Sequence, residues 1–268
     1  MKAGAAIDAA VGQGRAALVG YLPVGYPDLD TSIEAMVAIA RAGCDVLEIG
    51  VPYSDPVMDG PVIAAAADQA LRQGTRLTDT FTAVEAVHEA SPGTAVLVMT
   101  YWNPVAHTGV EEFSARLSRA GGAGLITPDL VPDEASEWLR ASDAHDLERV
   151  FLVAPSSSQE RIAMTARAST GFTYAASTMG VTGERTTVGG GAEELVARTR
   201  AGGAGRVCVG LGVSTPEQAG DIAAFADGVI VGSALVRALS GADGGTGGPA
   251  AAGELAARLA EGVARPRT

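Results

Sequence analysis

Three acidic residues stand close together in the segment EIGVPYSDPVMDGP, and they are Glu48, Asp55 and Asp59. No lysine or arginine occurs between Arg41 and Arg72, so no cation nearby in the sequence neutralises these carboxyl groups. Carboxyl groups transfer protons in catalysis when burial or neighbouring groups bring their pKa values near the working pH. The segment therefore indicates acid–base chemistry.

Glu48 stands inside the apolar run CDVLEIGV, which predicts a buried strand. If Leu47 and Ile49 face surrounding helices, strand alternation turns Val46 and Glu48 toward the opposite side, the interior of a closed sheet. A carboxyl group walled by Val and Ile there has its pKa raised by desolvation, as a general acid near neutral pH requires. The structural alternative is a Glu that hydrogen-bonds a neighbouring Tyr or a backbone amide.

Asp59 and Asp55 lie in the proline-rich and glycine-containing loop that follows this strand. Asp59 is a candidate for a second proton-transfer group, but an Asp before Gly-Pro is also a good turn residue. Asp55 precedes Pro56, and an Asx turn explains it adequately. The residues alone leave Asp59 open between catalysis and turn formation, and favour the turn for Asp55.

A second set of residues suits an anion. Gly210 and Gly212 lie in the apolar run RVCVGLGV, while Gly232 and Ser233 follow the run DGVIV and open a short helix. The free N–H groups and positive dipole end of a helix N-terminus favour a bound anion. Loops after the last two strands of a barrel, together with such a helix, recur as a phosphate site. We therefore predict phosphate binding here, with tight turns as the alternative.

The segment STMGVTGERTTVGGG, residues 177–191, is a long loop rich in glycine. Beside a phosphate site such a loop is typical of a lid, and Gly183 is able to bring its backbone close to the ligand. The alternative is a mobile connection without a role in binding.

Eight short apolar runs recur about every 20 to 35 residues and predict strands that are buried on both faces. They are ALVGYL, CDVLEIGV, AVLVMTY, AGLITPD, RVFLVAP, TYAAST, RVCVGLGV and DGVIVG. Amphipathic segments such as LDTSIEAMVAIARAG lie between them and predict helices. Eight strand–helix repeats in 268 residues favour an α/β fold, a single-domain (β/α)8 TIM barrel over residues 1–268. The glycine-rich residues 241–253 are expected to form a flexible surface loop before the closing helix.

The alternative α/β architecture is an open dinucleotide-binding sheet, which requires G-x-G-x-x-G after its first strand. The segment GYLPVGYPD does not supply that motif. In a barrel, function gathers where strands end at their carboxyl side, and the acidic and glycine-rich segments fall there.

Composition excludes several function classes. The formal net charge of −12 at pH 7 repels a polyanion, so we expect no nucleic-acid binding. No apolar run is long enough to span a membrane and the N-terminus lacks the apolar stretch of a signal peptide, which predicts a soluble, cytoplasmic protein. Cys44 and Cys208 lie in apolar runs, as buried free thiols do.

Lysine and histidine usage narrows the chemistry further. The single lysine is Lys2, which excludes a Schiff-base aldolase because that mechanism needs a lysine in the barrel. His88, His107 and His145 are scattered without ligand spacing, so we predict no metal site. Carbon–carbon cleavage in this chain is expected to depend on carboxylic acids alone.

Seven segments together resemble the tryptophan synthase α subunit family, and the resemblance spans nearly all of residues 16–240 in order. They are EIGVPYSDPVMDGPVI, TYWNPV, ITPDLVPDEA, VAPSSS, GFTYAASTMGVTG, CVGLGVSTPEQA and ADGVIVGSALV. The resemblance implies a TIM barrel that splits indole-3-glycerol phosphate, a small phosphorylated substrate, into indole and glyceraldehyde 3-phosphate without a cofactor. It also implies that indole passes to a pyridoxal-phosphate-dependent β subunit in an αββα heterotetramer.

The resemblance assigns roles by position. Glu48 is then the acid/base at indole C3, Asp59 stabilises the charge at the indole N–H, and Tyr174 is the active-site tyrosine. The remaining implied positions are Gly183, Gly212, Gly232 and Ser233 for phosphate, Tyr101, Thr182 and Leu211 for the substrate pocket, and Asp55 for communication with the β subunit.

Four positions depart from or vary around the family pattern: Ala64, where many members carry Gln, Leu211, where an aromatic residue is frequent, and the variable neighbours Met58 and Trp102. They bear on pocket shape and on tolerance of ring-substituted indoles. Two alternatives to a true α subunit remain at this point: a stand-alone indole-producing lyase, and a weakly active subunit that mainly activates a β enzyme.

Overall fold

The chain folds into a closed barrel of eight parallel strands, ordered β1 to β8, in which β1 also pairs with β8. This computed structural model describes residues 1–176, 190–210, 212–242 and 244–264. The strands are β1 Ala17–Pro23, β2 Val46–Gly50, β3 Ala95–Met99, β4 Gly124–Ile126, β5 Glu148–Val153, β6 Thr173–Ala176, β7 Val207–Gly210 and β8 Gly228–Val231. The prediction of a (β/α)8 barrel is confirmed, and each strand lies within the apolar run that predicted it or extends one residue beyond it.

Alternation along the strands separates two buried clusters, as the period of two requires. One side faces the helices and carries Leu18, Leu47, Ile49, Val96, Val98, Leu125, Phe151, Val209, Val229 and Val231. The other fills the barrel interior and carries Ala17, Val19, Val46, Ala95, Leu97, Val150, Cys208 and Ile230. Leu47 and Ile49 therefore face outward and Val46 faces inward, as expected.

Helices alternate with the strands around the barrel. They are α1 Ala3–Gly12, α2 Leu29–Arg41, α3 Pro61–Arg72, α4 Leu77–Ala90, α5 Trp102–Thr108, α6 Val110–Arg119, α7 Ser136–Ala144, α8 Gln159–Ala168, α9 Gly190–Ala201, α10 Pro216–Ala223, α11 Ser233–Ser240 and α12 Pro249–Val263, and a 3-10 turn spans Pro132–Glu134. Local signals set their ends. The Asp28 side chain accepts the Thr31 N–H at 2.8 Å to cap α2, and Thr215 and Gln218 form a capping box on α10.

Two predicted loop boundaries are wrong. Helix α12 begins at Pro249, so residues 249–253 of the predicted loop 241–253 are helical, because proline at the first helical position is preset for the helix. Helix α9 begins at Gly190, which removes residues 190–191 from the loop predicted over 177–191. The rest of that segment, residues 177–189, lies outside the described residues.

The amino-terminal end of the barrel is closed by α1. Ala3, Ile7 and Ala10 of this helix join the inner cluster. The Glu148 carboxylate accepts the Ala3 N–H at 2.6 Å and the Gly4 N–H at 3.0 Å, which satisfies free donors at the start of the helix. A ligand therefore has to enter from the opposite end, where the strands finish.

Candidate active site

A cavity opens at the carboxyl ends of the strands, with an empty volume of about 760 Å³ including its mouth. It is lined by Tyr21, Glu48, Met58, Asp59, Ile63, Met99, Leu152, Tyr174, Ala176, Gly210, Gly212, Ile230, Gly232 and Ser233. Most of this wall is apolar, and the polar groups are few and separate. Such a cavity suits a largely apolar ligand that carries polar groups at defined places.

Glu48 projects into this cavity from β2 and is fully buried. No group within the described parts of the chain donates a hydrogen bond to either of its carboxyl oxygens. Burial without compensating bonds raises the pKa of Glu48 to about 8. The carboxyl group is therefore protonated at neutral pH and able to give up a proton, while the structural alternative of a hydrogen-bonded Glu is not observed among the described residues.

Asp59 lines the same cavity from the loop after β2 and is half-buried. The Tyr101 hydroxyl donates to Asp59 Oδ1 at 3.4 Å. Burial raises the pKa of Asp59, and the bond from Tyr101 opposes that rise. In the structure both pKa values move upward, and Glu48 moves far because nothing described opposes its desolvation.

Two buried tyrosines share the cavity with Glu48. Tyr174 on β6 lines the cavity as predicted, and the negative charge of Glu48 adds to burial in raising its pKa. Tyr21 on β1 lies opposite Glu48 in the strand register and also lines the cavity. A methyl group on Gly50 would lie 2.2 Å from the Tyr21 hydroxyl oxygen, so the ring crosses β2 over this glycine.

Sequence reasoning missed Tyr21. The only available signal was its place in the run ALVGYL, two residues beyond the inward-facing Val19, at the carboxyl end of a strand. It also missed the apolar walls contributed by Ile63, Met99, Leu152 and Ile230. Of the positions expected to affect pocket shape, Met58 lines the cavity. Ala64 and Trp102 are not among the described residues that line it.

The predicted phosphate positions that the structure describes lie together at one side of the cavity. Gly212, Gly232 and Ser233 line it, and Ser233 is the buried first residue of α11. Gly212 has a φ of +69°, which favours glycine. Free N–H groups at a helix N-terminus are able to bind an anion. The predicted positions Gly183, Thr182 and Leu211 lie outside the described residues.

Tyr101 and Asp55 occupy different surroundings. Tyr101 is buried and is not among the described residues that line the cavity. Its hydroxyl accepts the Met58 N–H at 3.0 Å and donates to Asp59, and both of these residues line the cavity. Asp55 is exposed and accepts a hydrogen bond from the hydroxyl of Ser54. It does not line the cavity, and its predicted role in partner communication stays a prediction.

Neither a metal cluster nor a membrane span is found in what the structure describes. Within those residues, no three His, Cys, Asp or Glu side chains are grouped as a metal ion would need. No helix in the same ranges has both the length and the apolarity to cross a bilayer. Lys2, which precedes α1, lies with its Nζ 3.0 Å from Asp146 Oδ2.

Comparison with known proteins gives a consistent result. The family model described as tryptophan synthase alpha chain matches residues 7–260. The tryptophan synthase alpha chain of Mycobacteroides abscessus is 58% identical over 251 residues, covering 94% of this chain and 93% of that protein.

Solved structures agree with the sequence matches. A chain in a structure of Mycobacterium tuberculosis tryptophan synthase superposes with a TM-score of 0.91 at 54% identity, covering 99% of this chain and 98% of the other. The tryptophan synthase alpha chain of Legionella pneumophila superposes with a TM-score of 0.87 at 28% identity, covering 98% and 97%. Sequence, fold and cavity agree, and the chain belongs to the tryptophan synthase alpha chain family, the lyases that cleave indole-3-glycerol phosphate.

Proposed function

We propose that Glu48 and Asp59 carry out the lyase reaction of this family in this chain, the cofactor-independent retro-aldol cleavage of indole-3-glycerol phosphate into indole and glyceraldehyde 3-phosphate. The observation that carries the proposal is the position of the buried Glu48 carboxyl group, whose pKa burial raises to about 8, in the same cavity as the N-terminus of α11.

The reaction needs a proton at indole C3 before the carbon–carbon bond breaks, because a C3 carbanion is a poor leaving group. Protonated Glu48 gives its proton to C3, and the ring becomes an indolenine whose C=N bond accepts the electron pair of the breaking bond. The Glu48 carboxylate then takes the proton of the glycerol hydroxyl at the carbon that becomes the aldehyde. The acid is regenerated, and no metal or redox group takes part in the balance.

Asp59 acts at the other edge of the indole ring. Positive charge develops on the ring nitrogen when C3 is protonated, and an ionised carboxylate beside the N–H stabilises that charge, or accepts the proton and returns it to the nitrogen as the carbon–carbon bond breaks. The hydroxyl of Tyr101 supports the ionised form of Asp59 by donating to it at 3.4 Å. Tyr174 lines the same cavity as Glu48 and would enclose the ring.

The phosphate group of the substrate would lie at the start of α11, on the backbone of Gly212 and Gly232 and on Ser233. The dipole and free N–H groups of the helix favour its negative charge. Gly183 is proposed to complete this site. The apolar wall between this anion site and Glu48 accommodates the indole ring.

The test is indole release from indole-3-glycerol phosphate by the purified chain, first without added metal or pyridoxal phosphate and with a chelator present. We expect indole and glyceraldehyde 3-phosphate in equal amounts, and a Glu48→Gln variant that binds substrate without cleaving it. Full activity of Glu48→Gln would refute the assignment. Dependence of the unmodified chain on an added cofactor would refute the cofactor-independent mechanism.

We also propose that the chain works with a pyridoxal-phosphate-dependent β subunit, as an αββα assembly. Large apolar side chains are exposed at the end of the barrel where the cavity opens. Val57, in the loop after β2, is 71% exposed, and Val131, in the loop after β4, is 41% exposed. Asp55 stands in the first of these loops, beside Asp59. Docking on these loops would place a partner over the cavity that releases indole.

Repeating the indole assay with a β subunit separates the remaining alternatives. Slow release that rises sharply with the partner identifies an α subunit whose Asp59 loop is organised by docking. Fast release that the partner does not change identifies a stand-alone lyase. Release that stays slow while the partner gains activity identifies a subunit that mainly activates the β enzyme.

A further inference from the structure

We propose that Asp129 is a positioning residue for catalysis, which acts on Asp59 through the start of helix α5 and the phenol of Tyr101. The inference rests on the role proposed above for Asp59. It concerns a residue in the loop after β4, which does not line the cavity.

Asp129 caps α5 from outside the helix. It follows β4, and its Oδ1 and Oδ2 atoms accept the backbone N–H of Trp102, the first residue of α5, at 2.9 and 3.1 Å. Tyr101 at the N-cap position makes no capping bond with its own side chain. A carboxylate at a helix N-terminus is favoured by the helix dipole, so Asp129 supplies the cap that the local sequence lacks.

Tyr101 transmits this constraint to the loop after β2, which contains Asp59. Its ring is buried, and its hydroxyl accepts the Met58 N–H at 3.0 Å while donating to Asp59 Oδ1 at 3.4 Å. One phenol therefore holds two consecutive residues of the loop after β2. Because Tyr101 directly precedes Trp102, a shift of the α5 terminus moves the phenol and the carboxylate together.

The three parts of this path also meet at one narrow crevice, which has Asp59, Tyr101 and Pro128 among its walls. Pro128 is the neighbour of Asp129 in the chain. Without the bond to Trp102, the start of α5 loses a restraint, and the position of the Tyr101 hydroxyl relative to Asp59 is less well fixed.

The first experiment compares Asp129→Ala with Asp129→Asn. The alanine variant should lower kcat about ten-fold with KM changed by less than about two-fold, since misplacement of a catalytic group affects the transition state more than substrate binding. The asparagine variant keeps an acceptor oxygen and should recover most of kcat, because Asn caps helices nearly as well as Asp. Asp28→Ala is the matched control, an exposed Asp that caps α2 and does not line the cavity.

The second experiment tests whether the effect passes through Tyr101. In a Tyr101→Phe background, Asp129→Ala should lower kcat by less than about two-fold, because residues that act through one contact are not additive. Additive losses in the double variant would overturn the proposal, as would an Asp129→Asn variant as impaired as Asp129→Ala, which would indicate a role for the charge itself. An unchanged kcat in Asp129→Ala would mean that the residue is a helix cap only.

A readout without turnover separates this proposal from the proposed function. Hydrogen exchange at the Met58 amide should be faster in both Asp129→Ala and Tyr101→Phe, and unchanged in Asp28→Ala. If the unmodified chain released no indole, the proposed function would fail while this measurement still decided the coupling. Unchanged Met58 exchange in Asp129→Ala would overturn the inference even in a fully active enzyme.

Discussion

Replacing Glu48 by glutamine should change how the stability of the protein depends on pH, in addition to removing activity. The folded protein raises the pKa of Glu48 from its ordinary 4.5 to about 8 because the carboxyl group is fully buried. Below pH 4.5 both the folded and the unfolded states are protonated, and the shift has no effect on stability. Between pH 4.5 and 8 the unfolded chain loses its proton while the folded protein keeps it, so stability falls as pH rises.

The size of this effect follows from the interval between the two pKa values. Each pKa unit corresponds to about 1.4 kcal/mol, so the loss is about 3 kcal/mol at pH 7 and levels off near about 5 kcal/mol above pH 8. This is a large part of the total stability of an ordinary domain. Glu48→Gln cannot ionise and should lack this decline, whatever constant cost its buried amide adds at all pH values.

The assay is urea unfolding at a series of pH values from 5 to 9, for the unmodified chain, Glu48→Gln and the control Glu89→Gln, which changes an exposed glutamate on α4. Over this range the unfolding free energy of the unmodified chain should fall by several kcal/mol relative to that of Glu48→Gln. The control Glu89→Gln should follow the unmodified chain. Parallel curves for all three proteins would show that Glu48 titrates near its ordinary value, and the general-acid argument would lose its basis. The same pKa predicts that kcat/KM of the unmodified chain decreases above about pH 8.

Three further substitutions test the rest of the site. Asp59→Asn should lower kcat about 100-fold with KM nearly unchanged, because proton transfer or charge stabilisation is lost while phosphate binding remains; a change in KM alone would contradict its role. Ser233→Asp should raise KM at least about ten-fold through repulsion of the substrate phosphate, measured together with inorganic phosphate inhibition, and an unchanged KM would remove the phosphate site from this helix. Gly50→Ala would place a methyl group 2.2 Å from the Tyr21 hydroxyl oxygen. The displaced ring should reduce kcat/KM at least about ten-fold. Normal kinetics would show that the position of the Tyr21 ring does not matter for the reaction.

Much of the barrel is predictable because its signals are local. A strand buried on both faces reads as a continuous apolar run, and the eight runs place the eight strands to within a few residues. The inward position of Glu48 follows from the period of two, given that Leu47 and Ile49 are apolar neighbours. The loop boundaries at Pro249 and Gly190 were harder, because glycine-rich sequence is compatible with both a loop and the start of a helix.

The partners of the catalytic groups were not predictable in the same way. Tyr21 is 27 positions from Glu48 in the sequence, and only barrel closure and the parallel register set them side by side. The path from Asp129 through Trp102 and Tyr101 to Asp59 joins loops after three different strands. Contacts between residues that are distant in the sequence leave no periodic pattern within a single segment.

The sequence by itself therefore determined the fold class and the family, and it pointed to the two acids that line the cavity, since apolar period, turn residues and a dense motif are properties of short segments. Tertiary structure decided what those acids are able to do. The pKa of a carboxyl group depends on how much water and how many donors surround it, and for Glu48 that surrounding comes from strands spread over the whole chain. The same closure brings the N-terminus of α11 to the cavity, and so places the proposed anion site and the buried Glu48 in one pocket.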